Sequence, residues 1–197
     1  MTNFATTPDW SALPAPTDDG AAKHLAGMSV PSIMLAATDG RRVDLGTQPG
    51  RVVVYAYPRT GVPDQPIPDG WDAIPGARGC TPQSCAFRDH HAELRALGVA
   101  AVYGLSTQDT HYQREAADRL HLPFALLSDE RLALTSAMRL PTFQVGSMAL
   151  LKRLTLIIRD GVVEHVFYPV FPPDRNTGDV LKWLADAAGK SPGRAAG

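Results

Sequence analysis

Residues Gly79 to Asp89 read GCTPQSCAFRD and carry both cysteines of the chain, Cys80 and Cys85. Those two sulfurs are its only soft nucleophiles. A thiol reacts as the thiolate, and a free cysteine, with a pKa of about 8.5, needs help to ionise near neutral pH. Thr81 as a cap and Pro82 in the first turn predict a helix from about Pro82 to Leu97, because the missing proline N–H costs nothing there. Cys80 then lies beside the unpaired N–H groups and the positive end of the helix dipole, which favours a negative sulfur. Cys85, one turn further in, lacks that help. Five helical steps separate the two Cα atoms by roughly 8–9 Å, beyond the limit of about 7 Å for an unstrained disulfide. The helix must unwind before the sulfurs can bond. A permanent bridge would not be built this way, whereas a pair reduced in one state and bridged in another tolerates it.

Upstream, Thr60 to Gly79 holds Pro63, Pro66, Pro68 and Pro75 with Gly61, Gly70, Gly76 and Gly79, so neither helix nor strand runs through it. Trp71 and Ile74 are apolar anchors that favour an ordered loop. Two readings stand: a tolerated surface insertion, or a lid or partner-contact surface over Cys80. Behind it, Arg51 to Tyr57 (RVVVYAY) is the continuous β-branched and aromatic run of a central strand covered on both faces. Val30 to Leu45 reads as a hairpin turning at Asp39-Gly40. Met1 to Gly27 has no clear periodicity and reads as a surface arm.

Downstream, Val99 to Ser106 is a second buried strand, followed by a helix capped by Thr107 with Tyr112, Ala116, Ala117 and Leu120 on one face. Phe124 to Leu127 is a short strand and Asp129 to Met138 a helix. Arg153 to Arg159 and Val162 to Tyr168 form a hairpin through Asp160-Gly161. A last helix from about Thr177 uses Val180, Leu181, Leu184, Ala185 and Ala188 as its core stripe. The tail from Lys190 to Gly197 is expected to fray. Strands alternating with helices, then a hairpin and a helix, indicate an α/β layered domain.

The cysteine segment resembles the peroxiredoxins, in the atypical two-cysteine branch known as bacterioferritin comigratory protein or Q-type. Cys80, Thr81, Cys85, Ala86, Phe87, Arg88 and Asp89 stand in that branch's pattern. The likeness runs from about Met28 to Ala188, through Leu122-Pro123-Phe124 and Leu127-Ser128-Asp129 to the strand at Arg153. It implies a thioredoxin-like fold, a central mixed sheet flanked by helices, with an arm at 1–27, the domain at 28–189 and a flexible tail at 190–197. It also implies a thiol-dependent peroxidase acting on hydrogen peroxide and organic hydroperoxides. Cys80 is then the peroxidatic nucleophile, Cys85 the resolving thiol that forms an intramolecular disulfide, and Arg153 the active-site arginine. No cofactor is implied. A thioredoxin- or glutaredoxin-type dithiol is implied as reductant. The family threonine three residues before the peroxidatic cysteine is Ala77 here, so Thr60 is the candidate to supply a hydroxyl, and Pro58 to shield the thiolate. The connection between Thr60 and Gly79 is much longer than in the family.

Other classes fit less well. A thioredoxin-like thiol–disulfide exchanger favours C-x-x-C, which is absent. A metal-binding module could draw on Cys80, Cys85, His90 and His91, but their spacing matches no usual zinc pattern and the two histidines lie on different helix faces. A redox-inactive binding module would show no rapid thiol loss with peroxide. A chain of 197 residues, 44% hydrophobic with a formal net charge of −1, suits one domain with a full core. Its scattered Lys and Arg argue against nucleic-acid partners and anionic membranes. Without a signal-peptide pattern or membrane span, a cytoplasmic monomer or homodimer is the expectation.

Overall fold

The computed structural model describes residues 9–189. The run at Arg51 forms β3 (Arg51–Ala56), an interior strand of a seven-stranded sheet, after a hairpin of β1 (Met34–Ala37) and β2 (Arg42–Asp44). β3 pairs in parallel with β4 (Val99–Ser106) and antiparallel with β8 (Leu154–Arg159). Beyond β4 lies β5 (Leu126–Ser128), and beyond β8 lies β9 (Val162–Phe167), giving the order β2-β1-β5-β4-β3-β8-β9. The mixed sheet flanked by helices is the architecture expected from the sequence.

Strand alternation divides the core into two layers. Val52, Val54 and Ala56 face one layer, which includes Leu134 and Met138 of α4 (Ala133–Met138) and, from the arm, Ala22 and Leu25. Val53, Tyr55 and Tyr57 face the other. There they meet Cys80 and Phe87 of α1 (Cys80–Asp89), Leu94 of α2 (His91–Ala96), Ala116 of α3 (Thr110–Arg119), and Val180 and Leu184 of α5 (Asn176–Gly189). Phe87 is completely buried and stacks on Tyr55 with ring centroids 4.5 Å apart. That burial is worth roughly 1.5–3 kcal/mol and seats α1 against the sheet.

Several local expectations are corrected. The cysteine helix begins at Cys80 rather than Pro82, with Gly79 as its cap at φ 102° and no side-chain cap from Thr81, and it breaks at His90 before α2. Gly79 is required there twice over. The left-handed backbone suits glycine, and a Cβ would lie 2.2 Å from Pro173 Cγ and 2.8 Å from Trp10 Cη2. Asp109, not Thr107, caps α3 by accepting from the Tyr112 N–H, and the buried members of its face are Gln113, Ala116 and Leu120. Ala185 and Ala188 are exposed; Trp183 joins the core margin instead, against His165. A hairpin of β6 (Thr142–Val145) and β7 (Met148–Leu151) forms a separate two-stranded sheet that the sequence reading did not contain. The expected fraying of the tail falls outside the described residues.

The proline-rich loop is ordered as expected from its anchors. Trp71 and Ala77 are buried with Leu150 of β7, and Ile74, Phe143, Val145 and Met148 pack around them. Arg78 forms an ion pair with Asp72 within the loop. The arm closes the other side: Trp10 donates its indole N–H to Asp174 at 3.0 Å and meets Phe171 edge-on. No helix among the described residues is long and apolar enough to cross a membrane.

Candidate active site

The fold brings the start of α1 against the first residues of the antiparallel strand next to β3. Cys80 is 4% exposed and Arg153, just before β8, is 3% exposed. The Arg153 Nη2 lies 3.2 Å from Cys80 Sγ and also donates to the carbonyls of Gly76, Ala77 and Arg78 at 3.1–3.3 Å. Its Nη1 donates to Gln83 Oε1, while its Nε has no hydrogen-bond partner among the described residues. Three loop carbonyls, one glutamine and one sulfur therefore cradle a buried cation.

None of the ion pairs found among the described residues includes Arg153. Buried charges normally sit against an opposite charge because the desolvation cost is otherwise uncompensated. Among its hydrogen-bond partners in the described residues, the one able to become an anion is the Cys80 thiol. The sulfur also sits at the first position of α1, where unpaired N–H groups add to the positive field. Cys80 and Cys85 are both free thiols. Cys85 is half-buried; burial pushes its thiol above the ordinary range, the Arg88 charge pulls it down, Asp89 pushes it up, and Arg119 pulls it down, with an upward net effect.

The other candidates have different partners. Pro58 is buried directly after Tyr57. Thr60 is also buried; its backbone N–H and hydroxyl donate to Gln108 Oε1 at 3.0 and 3.2 Å, and Gln108 Nε2 returns a bond to the Thr60 carbonyl. Gln108 escaped the sequence reading because a glutamine after a strand carries no signal of its own. Ala77, in the place of the family threonine, offers only its backbone: its carbonyl accepts from Arg153 and lies 3.7 Å from Cys80 Sγ. His90 faces Glu93, and His91 lies against Phe124. Among the described residues no group of three or more His, Cys, Asp or Glu side chains is placed to hold a metal.

A thiol pressed against an unneutralised arginine at a helix start, with a second thiol on the same helix, defines a cysteine-based redox protein on a thioredoxin-like sheet. Consistent with this, the chain belongs to the redoxin family, whose model matches residues 25–181. Within that family it is a peroxiredoxin of the Q type. It is 33% identical over 183 residues to the chloroplastic peroxiredoxin Q of Oryza sativa subsp. japonica, covering 90% of this chain and 76% of that protein. It is likewise 33% identical over 165 residues to the chloroplastic peroxiredoxin Q of Suaeda salsa, covering 83% and 69%. Among solved structures, peroxidoxin BcpB of Mycobacterium tuberculosis superposes with a TM-score of 0.66 at 24% identity, over 82% of this chain and 96% of that one. Peroxiredoxin Q of Xanthomonas campestris gives 0.64 at 20%, over 83% and 98%; both share the fold. The chain is a thiol-dependent peroxidase, with a hydroperoxide as substrate and a thiol as reductant.

Proposed function

We propose that Cys80 is the peroxidatic cysteine, Arg153 the residue that holds both thiolate and peroxide, and Cys85 the resolving cysteine. The observation that carries this reading is the buried Arg153 guanidinium, 3.2 Å from Cys80 Sγ and without a carboxylate partner among the described residues. The Cys80 thiolate attacks one oxygen of ROOH. An S–O bond forms, the O–O bond breaks, and the departing RO⁻ takes a proton to leave as ROH, with sulfenic acid remaining on Cys80. Arg153 supports charge developing on the oxygens, and its fixed fork suits two neighbouring acceptors. The Cys85 thiolate then attacks the sulfenic sulfur, hydroxide leaves as water, and an external dithiol returns two electrons by exchange.

Pro58 and Thr60 are assigned to the substrate side, Thr60 acting as an acceptor while its proton stays on Gln108. The reductant is assigned to the thioredoxin or glutaredoxin class, and the substrates to hydrogen peroxide and organic hydroperoxides. Because one helix carries both thiols, the cycle needs no second copy of the chain, whether the protein works as a monomer or a homodimer. The cytoplasm is the proposed location, since a reducing compartment can regenerate the pair.

Thiol titration with intact-mass analysis after one equivalent of peroxide tests the assignment. The wild-type chain should lose two thiols and two mass units, Cys85→Ser should stop at a trappable sulfenic acid, and Cys80→Ser should consume no peroxide. Peroxide consumption by Cys80→Ser at the wild-type rate would overturn the assignment.

A further inference from the structure

The Arg153 fork is held from behind by a chain of buried amides. Gln83, fully buried on α1, presents Oε1 to Arg153 Nη1 and donates Nε2 to Asn176 Oδ1 at 3.0 Å. Thr155, also fully buried and two residues beyond Arg153, donates its hydroxyl to the same Asn176 oxygen at 2.6 Å. Asn176 is 1% exposed and opens α5. The chain thus joins β8, α1 and α5 at one point.

The polarity of this chain has one arrangement that works. A guanidinium has donors and no acceptor, so Gln83 must turn its oxygen to Arg153; its NH2 then points the other way and needs an acceptor. Asn176 supplies that acceptor. A reversed Gln83 would place two donor groups against each other at Arg153, and a reversed Asn176 would do the same at Gln83. With all three side chains sealed from solvent, water does not stand in for a lost partner.

We propose that Asn176, with Thr155 behind it, is a positioning residue for the peroxidase reaction: it fixes the orientation of the Gln83 amide and, through it, the aim of the Arg153 guanidinium at Cys80. This rests on the reading of Cys80 and Arg153 given above. Asn176 touches neither the sulfur nor the peroxide in this scheme. It lies on the last helix, nearly a hundred residues from the cysteine segment, so the aim of the site depends on how α5 docks.

The test is the pH–rate profile for hydrogen peroxide consumption by Asn176→Leu, Gln83→Leu and their double variant, with Arg153→Ala alongside. Asn176→Leu should slow the reaction by about tenfold and move its profile to higher pH, because a wandering guanidinium supports the thiolate less well. In the Gln83→Leu background the same substitution should have no further effect, since its route to Arg153 is already cut. An asparagine needed only for folding would lower the thermal midpoint in both backgrounds and leave the profile in place. An unchanged profile, or an equal effect with and without Gln83, overturns the proposal. Should Asn176→Leu fail to fold, Thr155→Val removes a single hydroxyl and carries the same cycle, with a smaller shift of the same sign expected and the same two results overturning it. If Arg153→Ala itself leaves rate and profile unchanged, the reading of the site fails; if Arg153→Ala shifts them and Asn176→Leu does not, the relay alone fails.

Discussion

Cys80 and Cys85 share one ten-residue helix and differ in almost everything that governs a thiol. Cys80 stands buried at the first position, with the Arg153 guanidinium 3.2 Å from its sulfur and the helix-start N–H groups free of intrahelical partners. Cys85 lies mid-helix, where the N–H groups are already bonded, half-exposed beside an Arg88–Asp89 pair whose charges largely offset each other. A nucleophile needs its anion ready before the substrate arrives. A resolving thiol acts only once the sulfenic acid exists, so it can ionise later. Two cysteines one and a half turns apart acquire these opposite dispositions because the helix start is electrostatically unlike its middle, and because a single arginine reaches only one of them.

Removing that arginine should erode the contrast most. Arg153→Ala leaves Cys80 with the helix start alone, and peroxide consumption should fall by roughly 10²–10³, the size of losing one preorganised donor. Lysine should restore part of the rate, because it returns the charge without the planar fork. Stopped-flow measurement of the first oxidation step reads this directly. A variant as fast as wild type would mean that Arg153 has no more part in the chemistry than Arg88 does.

How much of this contrast was legible in the residues divides along a physical line. The apolar run at Arg51, the alternation of strands with helices and the Cys80-to-Asp89 pattern are local signals, and they led to the right sheet and to an arginine that lies 3.2 Å from Cys80 Sγ. The helix start was misplaced by two residues because Thr81 and Pro82 are good capping residues by composition, while the structure uses Gly79, whose role depends on Trp10 and Pro173 packing from distant parts of the chain. The hairpin β6–β7 escaped although Gly146-Ser147 is a legitimate two-residue turn; each strand is only four residues long, and while Thr142 to Val145 alternates exposed with half-buried, Met148 to Leu151 does not alternate. The arm appeared formless because its order comes from tertiary partners, Asp174 and Phe171 for Trp10 and the core for Leu25. Asn176 was out of reach for the same reason: a buried amide network has no periodicity.

A second test exploits the distance between the sulfurs. Both occupy one regular helix, so the separation of roughly 8–9 Å expected for five residues must shrink below about 7 Å for the bond to form. Oxidation should therefore open α1 from Cys80 toward Asp89 and lift Phe87 from its stack on Tyr55. Trp10, packed against Gly79, should loosen with it. Hydrogen exchange should show protection falling across α1 on oxidation while β3 stays protected. Equal protection of α1 in both states, with the disulfide confirmed by mass, would remove the geometric basis for treating the two cysteines as separate stations.

The smallest expected effect lies at Cys85 itself. Asp89 is among the charges that push this thiol up, and Arg88 is one that pulls it down. Asp89→Asn removes the negative charge but keeps an oxygen for the Arg88 Nε to donate to, now at 2.8 Å, so Arg88 stays in place and the lost charge favours the Cys85 thiolate. Exposed charges at this range are worth about 0.2–1 kcal/mol, which raises the thiolate fraction near neutral pH by roughly 1.4- to 5-fold. A less basic thiolate is also a weaker nucleophile, with a Brønsted slope of about 0.4–0.5, so the gain in resolution rate should be less than about threefold. Single-turnover disulfide formation, followed by intact mass after a peroxide pulse, should quicken by that amount and reach half its maximum at lower pH, while the preceding attack on peroxide keeps its rate. Arg88→Gln should move the profile the opposite way. If neither variant moves it, opening of the helix rather than ionisation of Cys85 sets the pace of resolution, and what distinguishes the second cysteine is how firmly its turn is held.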